Sequence, residues 1–198
     1  SKISHTVEKY KQISAIRLIS GEGDEKDVKL ILNGGAKGLS TFMSYYILSS
    51  VATRGYGKEA LAMMKEYYGK MLELGATTFW EDFDISWAEN AGRIDEMPNK
   101  DKVDIHAEYG DFCYKGYRHS FCHGWSSGVV PFLVRIIAGI NETAVGGKEL
   151  TIKPCLSGLK KVDVVYPTVN GNVKVKIRDV DGKVKVDYEA PEGVKVIL

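Results

Sequence analysis

The sequence predicts a mainly α-helical chain that closes with a small all-β domain. Three observations carry this. Apolar residues recur at helical spacing up to about residue 140, and they alternate with polar residues after about residue 148. The tight-turn dipeptides Asn170-Gly171 and Asp181-Gly182 punctuate the second stretch. The expected division is residues 1–145, helical, and residues 146–198, β.

In chain order, Val7 to Ile19 and Glu25 to Leu32 have helical patterns. Thr41 to Thr53 places Phe42, Tyr45, Tyr46, Ser49 and Ala52 on one stripe, and Gly55 and Gly57 stop it. Lys58 to Leu74 repeats the pattern with Leu61, Met64, Tyr68, Met71 and Leu72. The short connection between the two reads as an antiparallel αα-hairpin, the unit of helical bundles and α/α-toroids. Later, Ser126 and Ser127 are N-cap candidates and Pro131 suits a first turn. Phe132, Leu133, Ile136, Ile137 and Ile140 supply a buried stripe ending near Gly139.

Residues 82–119, between these helices, are polar, aromatic and irregular. An excursion of that length is usually functional or disordered, and the aromatics Trp87, Tyr109, Phe112, Tyr114 and Tyr117 argue against disorder. In the C-terminal part, Val173, Val175 and Ile177 alternate with Lys174, Lys176 and Arg178. Past Asp181-Gly182, Val184, Val186 and Tyr188 alternate with Lys183, Lys185 and Asp187, giving a hairpin with one wet face. With Leu150 to Lys153, Val162 to Tyr166 and Val194 to Leu198, about five short antiparallel strands are expected. That core is too small to stand alone and should pack on the helical part or on further strands.

Composition narrows the function. Twenty-seven basic against 26 acidic residues leave a net charge of +1, no field to draw in a polynucleotide or an anionic membrane. No apolar run approaches the ~20 residues of a membrane helix, and the N-terminal residues lack the apolar core of a signal peptide. The chain begins at Ser1 with residues that read as the middle of a helix, so a piece of something longer is expected. Cys113, Cys122 and Cys155 have no CxxC or Cys/His spacing, so they are expected to be free, mostly buried thiols. No HxxxH, DxDxDG or cysteine cluster implies a metal, and no cofactor is signalled.

Two segments concentrate chemistry. Gly75-Ala76-Thr77-Thr78-Phe79-Trp80-Glu81-Asp82 directly follows the second amphipathic helix. A carboxylate beside a tryptophan at a helix exit suits a partly desolvated pocket; a solvated acid next to a core tryptophan fits the same residues. Ser120-Phe121-Cys122-His123-Gly124-Trp125-Ser126-Ser127-Gly128 leads into the last helix. There His123 and Trp125 suit a sugar, by hydrogen bonds to hydroxyls and by stacking, while a structural histidine in a capping turn is the alternative.

Taken together and in this order, these two segments, the helix ending in AGI and a TIKP-containing β-domain closing in APEGVKVIL resemble the C-terminal part of bacterial α-L-rhamnosidases of glycoside hydrolase family 78. The resemblance covers residues from about 34 to 198. It implies a partial (α/α)6 toroid plus a small antiparallel β-sandwich, in an inverting glycoside hydrolase that releases terminal α-L-rhamnose. It maps the family's general base onto Glu81 and a rhamnose contact onto His123, with Trp80 and Trp125 as pocket aromatics.

Inverting hydrolysis also needs a carboxylic acid about 6.5–9.5 Å from the base. The family's acid lies in an earlier motif of the form Arg-Asp-Arg followed by Trp, which does not occur here, and Asp84, Glu89, Asp95, Glu96 and Asp111 carry no identifying motif. The chain alone is therefore expected to be inactive and, with part of a helical ring missing, to self-associate through the cut face. A periplasmic or secreted location also follows only from the resemblance. Other readings of the same residues are a non-catalytic carbohydrate-binding module and an (α/α)6 glycosidase for a different sugar.

Overall fold

A computed structural model describes residues 10–105 and 119–198. The helical part opens with α1 (Lys11–Ser20) and α2 (Glu25–Leu32). Gly21 ends α1 in the left-handed conformation at φ 82°, returning its N–H to Leu18. Asp24 caps α2 by accepting the Lys26 N–H at 2.8 Å, and Asp27 accepts the Asp24 N–H at 3.1 Å. Asp27 also takes Ser14 Oγ at 2.8 Å and Arg17 Nε at 3.1 Å, so one buried carboxylate clamps α1 onto α2.

Helix α3 (Ser44–Ala52) packs against α1, against α4 (Gly57–Glu73) and against the last helical segment. Its buried face is Ser44, Ile47, Leu48, Ser50, Val51 and Ala52. The stripe expected from spacing was Phe42, Tyr45, Tyr46, Ser49 and Ala52, and of these only Ala52 is buried, with Phe42 49% and Tyr46 38% exposed. A helix that is apolar on nearly all sides gives periodicity no face to choose. The stripe of α4 is closer to expectation, with Leu61, Tyr68 and Met71 buried but Leu72 exposed.

The last helical segment also departs from expectation. It runs as a 3-10 turn over Gly124–Gly128, α5 over Val129–Pro131 and a π-helical stretch over Phe132–Ile137. Ser126 and Ser127 do not cap it: Ser127 Oγ donates to Gly124 O at 2.7 Å, and Ser126 Oγ donates to Trp80 O. Phe132 and Ile137 are buried, and Leu133 is exposed.

Gly139 then turns the chain into the β-domain. Strands β1 (Ile140–Glu142), β2 (Glu149–Ile152) and β6 (Lys195–Ile197) form one sheet in the order β1-β2-β6. Strands β3 (Lys161–Thr168), β4 (Gly171–Val180) and β5 (Lys183–Glu189) form an antiparallel meander. Two corrections apply to the expected strands. β1 was not anticipated, and β6 pairs with β2 in parallel, Leu150 opposite Val196, where antiparallel pairing was expected. The turn residues follow expectation, with Asp181 at φ 51° and Gly182 at φ 79° closing the β4–β5 hairpin.

Two apolar clusters result. One gathers Leu18, Ile31, Ile47, Val51, Tyr67, Trp80, Phe83 and Phe132 between the helices. The other gathers Ile140, Leu150, Ile152, Val173, Val175 and Ile177 in the β-domain, and Leu159 and Val162 touch both. Of the cysteines, Cys122 and Cys155 are free and exposed, which corrects the expected burial; both sit in polar connecting segments. Cys113 lies outside the described residues, as do Tyr109, Asp111, Phe112, Tyr114 and Tyr117. No helix is long and apolar enough to cross a membrane, and no group of metal-ligating side chains forms, among the described residues.

Candidate functional site

The segment that leaves α4 and the segment that enters the last helical stretch run side by side. Glu81 N–H donates to Ser120 O at 2.8 Å, and His123 N–H donates to Phe79 O at 2.8 Å. Thr78 Oγ1 ties the same pair of segments through Phe121 O. Residues 42 positions apart are thereby brought together: His123 Nδ1 stands 3.8 Å from Glu81 Oε2.

The Glu81 side chain is 11% exposed, too buried to be a fully hydrated surface acid. Its Oε2 accepts the Ser120 N–H at 2.8 Å. Its own carbonyl accepts two side-chain donors, Thr41 Oγ1 at 2.5 Å and Trp125 Nε1 at 2.7 Å. Backbone and carboxylate are thus both fixed by groups outside the segment. A carboxylate in this setting can accept a proton from a small molecule, with an imidazole alongside to hydrogen-bond a hydroxyl.

The two tryptophans differ. Trp80 is fully buried, its ring packed on Phe83 at 5.6 Å and Phe121 at 5.1 Å, so it presents no face to a ligand in this chain. Trp125 is 47% exposed, its ring tilted against those of His123 at 4.4 Å and Phe42 at 5.8 Å. The structure therefore brings Glu81, His123 and Trp125 to one place and leaves Trp80 behind them as packing. Of the other candidate acids of the excursion, Asp84 accepts Ser86 N–H at 2.8 Å, Asp95 and Glu96 pair with Arg93 at 2.6 Å and 3.4 Å, and Glu89 is exposed. Asp111 is outside the described residues.

Sequence reasoning missed a polar circuit behind the site. Thr41 O accepts Ser44 Oγ at 3.1 Å, Ser44 Oγ meets Tyr68 Oη at 2.6 Å, and Tyr68 Oη reaches Ser126 O at 3.2 Å. Since Ser126 Oγ donates to Trp80 O and Thr41 Oγ1 to Glu81 O, the circuit closes through two successive backbone carbonyls, those of Trp80 and Glu81. Thr41, Ser44, Tyr68 and Ser126 are all buried, and burial holds the Tyr68 phenol above its ordinary value, so it stays a donor. In the sequence Thr41 and Ser44 fall within the expected helix Thr41 to Thr53, off its apolar stripe, and carry no other signal.

A family model described as the bacterial alpha-L-rhamnosidase C-terminal domain matches residues 139–198. The GH78 family rhamnosidase of Bacillus sp. GL1 is 24% identical, with 94% of this chain and 18% of that one covered at a TM-score of 0.67. The alfa-L-rhamnosidase of Aspergillus terreus is 15% identical, with 99% and 22% covered at 0.70. The alpha-L-rhamnosidase of Streptomyces avermitilis, solved with L-rhamnose, is 15% identical, with 95% and 18% covered at 0.66. No curated protein matches the sequence. At these identities the structural likeness is one of fold, and the chain spans about a fifth of the length of these proteins. The resemblance to the C-terminal part of bacterial α-L-rhamnosidases is borne out.

Proposed function

We propose that this chain, whose residues 139–198 match the bacterial α-L-rhamnosidase C-terminal domain, is the C-terminal part of an inverting α-L-rhamnosidase in which Glu81 is the general base. The observation that carries the reading is the Glu81 carboxylate itself: buried, held by the Ser120 N–H, and set 3.8 Å from His123. In this reading Glu81 takes the proton from a water that attacks the anomeric carbon of a terminal rhamnose. His123 hydrogen-bonds the ring hydroxyls, and the exposed face of Trp125 lies against the sugar. The acid that protonates the leaving oxygen belongs to another part of the parent protein.

Residues 1–145 would be the last portion of an (α/α)6 barrel, and residues 146–198 its β-domain. The exposed Ile13, Ile16 and Ile19 on α1, with Phe42, Tyr46 and Leu133, would then meet the remaining barrel helices, and in the isolated chain a second copy. Release of rhamnose from glycans suits a periplasmic or secreted enzyme.

The test is hydrolysis of an aryl α-L-rhamnoside by the intact parent protein, wild type against Glu81→Gln. Glutamine keeps an oxygen for the Ser120 N–H but accepts no proton, so kcat should fall by about a hundredfold or more with the fold intact by circular dichroism. Near-normal turnover in the variant removes Glu81 as base, and a wild type inactive on rhamnosides but active on another glycoside reassigns the sugar.

A further inference from the structure

The inference rests on the proposed role of Glu81 and concerns what holds that residue in place. Glu81 lies on an extended segment with no helix or sheet of its own, so its carboxylate is only as well placed as the peptide that carries it. That peptide is gripped from the far side. The Glu81 carbonyl receives the Thr41 hydroxyl at 2.5 Å and the Trp125 indole N–H at 2.7 Å, a doubly occupied acceptor. Thr41 comes from the connection before α3, whereas Trp125 comes from the turn before α5, so the two donors anchor Glu81 to separate parts of the fold.

We propose that Thr41 is a positioning residue for the general base: its hydroxyl on the Glu81 carbonyl fixes the rotation of the 81–82 peptide at the Glu81 Cα, and with it the line from the carboxylate to the attacking water. The buried circuit supports this role. Ser44 Oγ approaches both Thr41 O and Tyr68 Oη, and Tyr68 Oη also approaches Ser126 O. With the Ser44 proton on Thr41 O, the Tyr68 proton serves Ser44 Oγ or Ser126 O, and the circuit holds Thr41 from behind. Thr41 is 2% exposed and points its methyl and hydroxyl into the interior, so neither group is placed to touch a ligand. Without the hydroxyl, the Glu81 carbonyl keeps the Trp125 N–H, which comes from a half-exposed residue at the face where the sugar would lie.

The experiment uses the intact parent protein and the pair Thr41→Ser and Thr41→Ala. Both lose the same methyl and differ only in the hydroxyl. Thr41→Ser is expected to keep kcat on an aryl α-L-rhamnoside within about threefold of wild type. Thr41→Ala is expected to lower kcat about tenfold to a hundredfold while KM changes by less than about threefold, because a misplaced base costs chemistry and not binding. A purely structural threonine would give equal kcat in the two variants at a temperature where both are folded, and that result overturns the inference. So does a fall confined to KM. If Thr41→Ala does not fold, Tyr68→Phe carries the same test from two hydrogen bonds away. It is expected to lower kcat about threefold to tenfold at unchanged KM, and unchanged kcat overturns the inference. A wild type that hydrolyses neither an α-L-rhamnoside nor another glycoside overturns the role of Glu81 together with that of Thr41. An active wild type with Ser and Ala variants alike overturns the role of Thr41 alone.

Discussion

Lys11 is 5% exposed, with its ammonium donating to Gly35 O and Glu66 nearby as the compensating charge. Burial pushes its pKa down from 10.5 to about 8, against the opposing pull of Glu66. Between those two values the unfolded chain binds a proton that the folded chain does not, so stability from this group rises with pH across that window and is at its lowest below pH 8. Thermal melts of the wild type and Lys11→Met should show the wild type gaining on the variant from about pH 8 to pH 10. Asp27 has the opposite sign. Burial raises its pKa, but hydrogen bonds from Ser14, the Asp24 backbone and Arg17, and the Arg17 charge, outweigh burial and hold it below the ordinary value. Its contribution is present at neutral pH and is lost as pH falls through the depressed folded value, so Asp27→Asn should flatten the acid side of the wild-type melting profile. At this scale the sequence revealed the groups that carry charge or a ring, Glu81, His123 and Trp125. Thr41 and Ser44 were silent, and Tyr68 showed only as part of a buried stripe, because a hydroxyl that works inside the protein leaves no spacing or charge pattern behind.

The helices of the first part were found to within a few residues, α2 with both ends as expected, because capping and glycine stops are local chemistry. Faces were harder. In α3 the aromatic stripe turned outward and the aliphatic one inward, a choice made by the neighbours α1 and α4 and not by the helix itself. The parallel β2–β6 pair was likewise invisible locally, because nothing in a three-residue strand states the direction of its partner. Gly139 is the hinge between the two kinds of structure. It sits at φ 71°, and a Cβ there would fall 2.0 Å from Lys153 O and 2.1 Å from Lys153 C, both backbone atoms that cannot swing aside. Gly139→Ala combines left-handed strain with that clash and should lower stability by roughly 2–4 kcal/mol or prevent folding, as read from urea unfolding.

For the whole molecule, helices followed by small sheets were readable from the change of period, since burial on one face sets period in both. What surrounds the helical cluster was not. Ile13, Ile16 and Ile19 form one apolar ridge on α1, between 39% and 53% exposed. In the isolated chain this ridge should drive concentration-dependent association in sedimentation velocity, and Ile16→Glu should shift the chain toward monomer. A wild-type monomer at every concentration would mean that the ridge is covered by residues of this chain.

The strand order β1-β2-β6 also bears on how the β-domain comes together in time. β1 and β2 are near neighbours along the chain, but the other edge of β2 waits for β6, with Lys195 Nζ reaching Glu149 Oε2 across 46 residues. Between them the meander β3-β4-β5 needs only hairpin contacts and can assemble first. During synthesis β2 therefore leaves the ribosome with an open edge and keeps it until the last strand has emerged, so the domain acquires its full cooperativity late, and a chain shortened by a few residues before Lys195 would expose β2 as a template for a strand from another molecule.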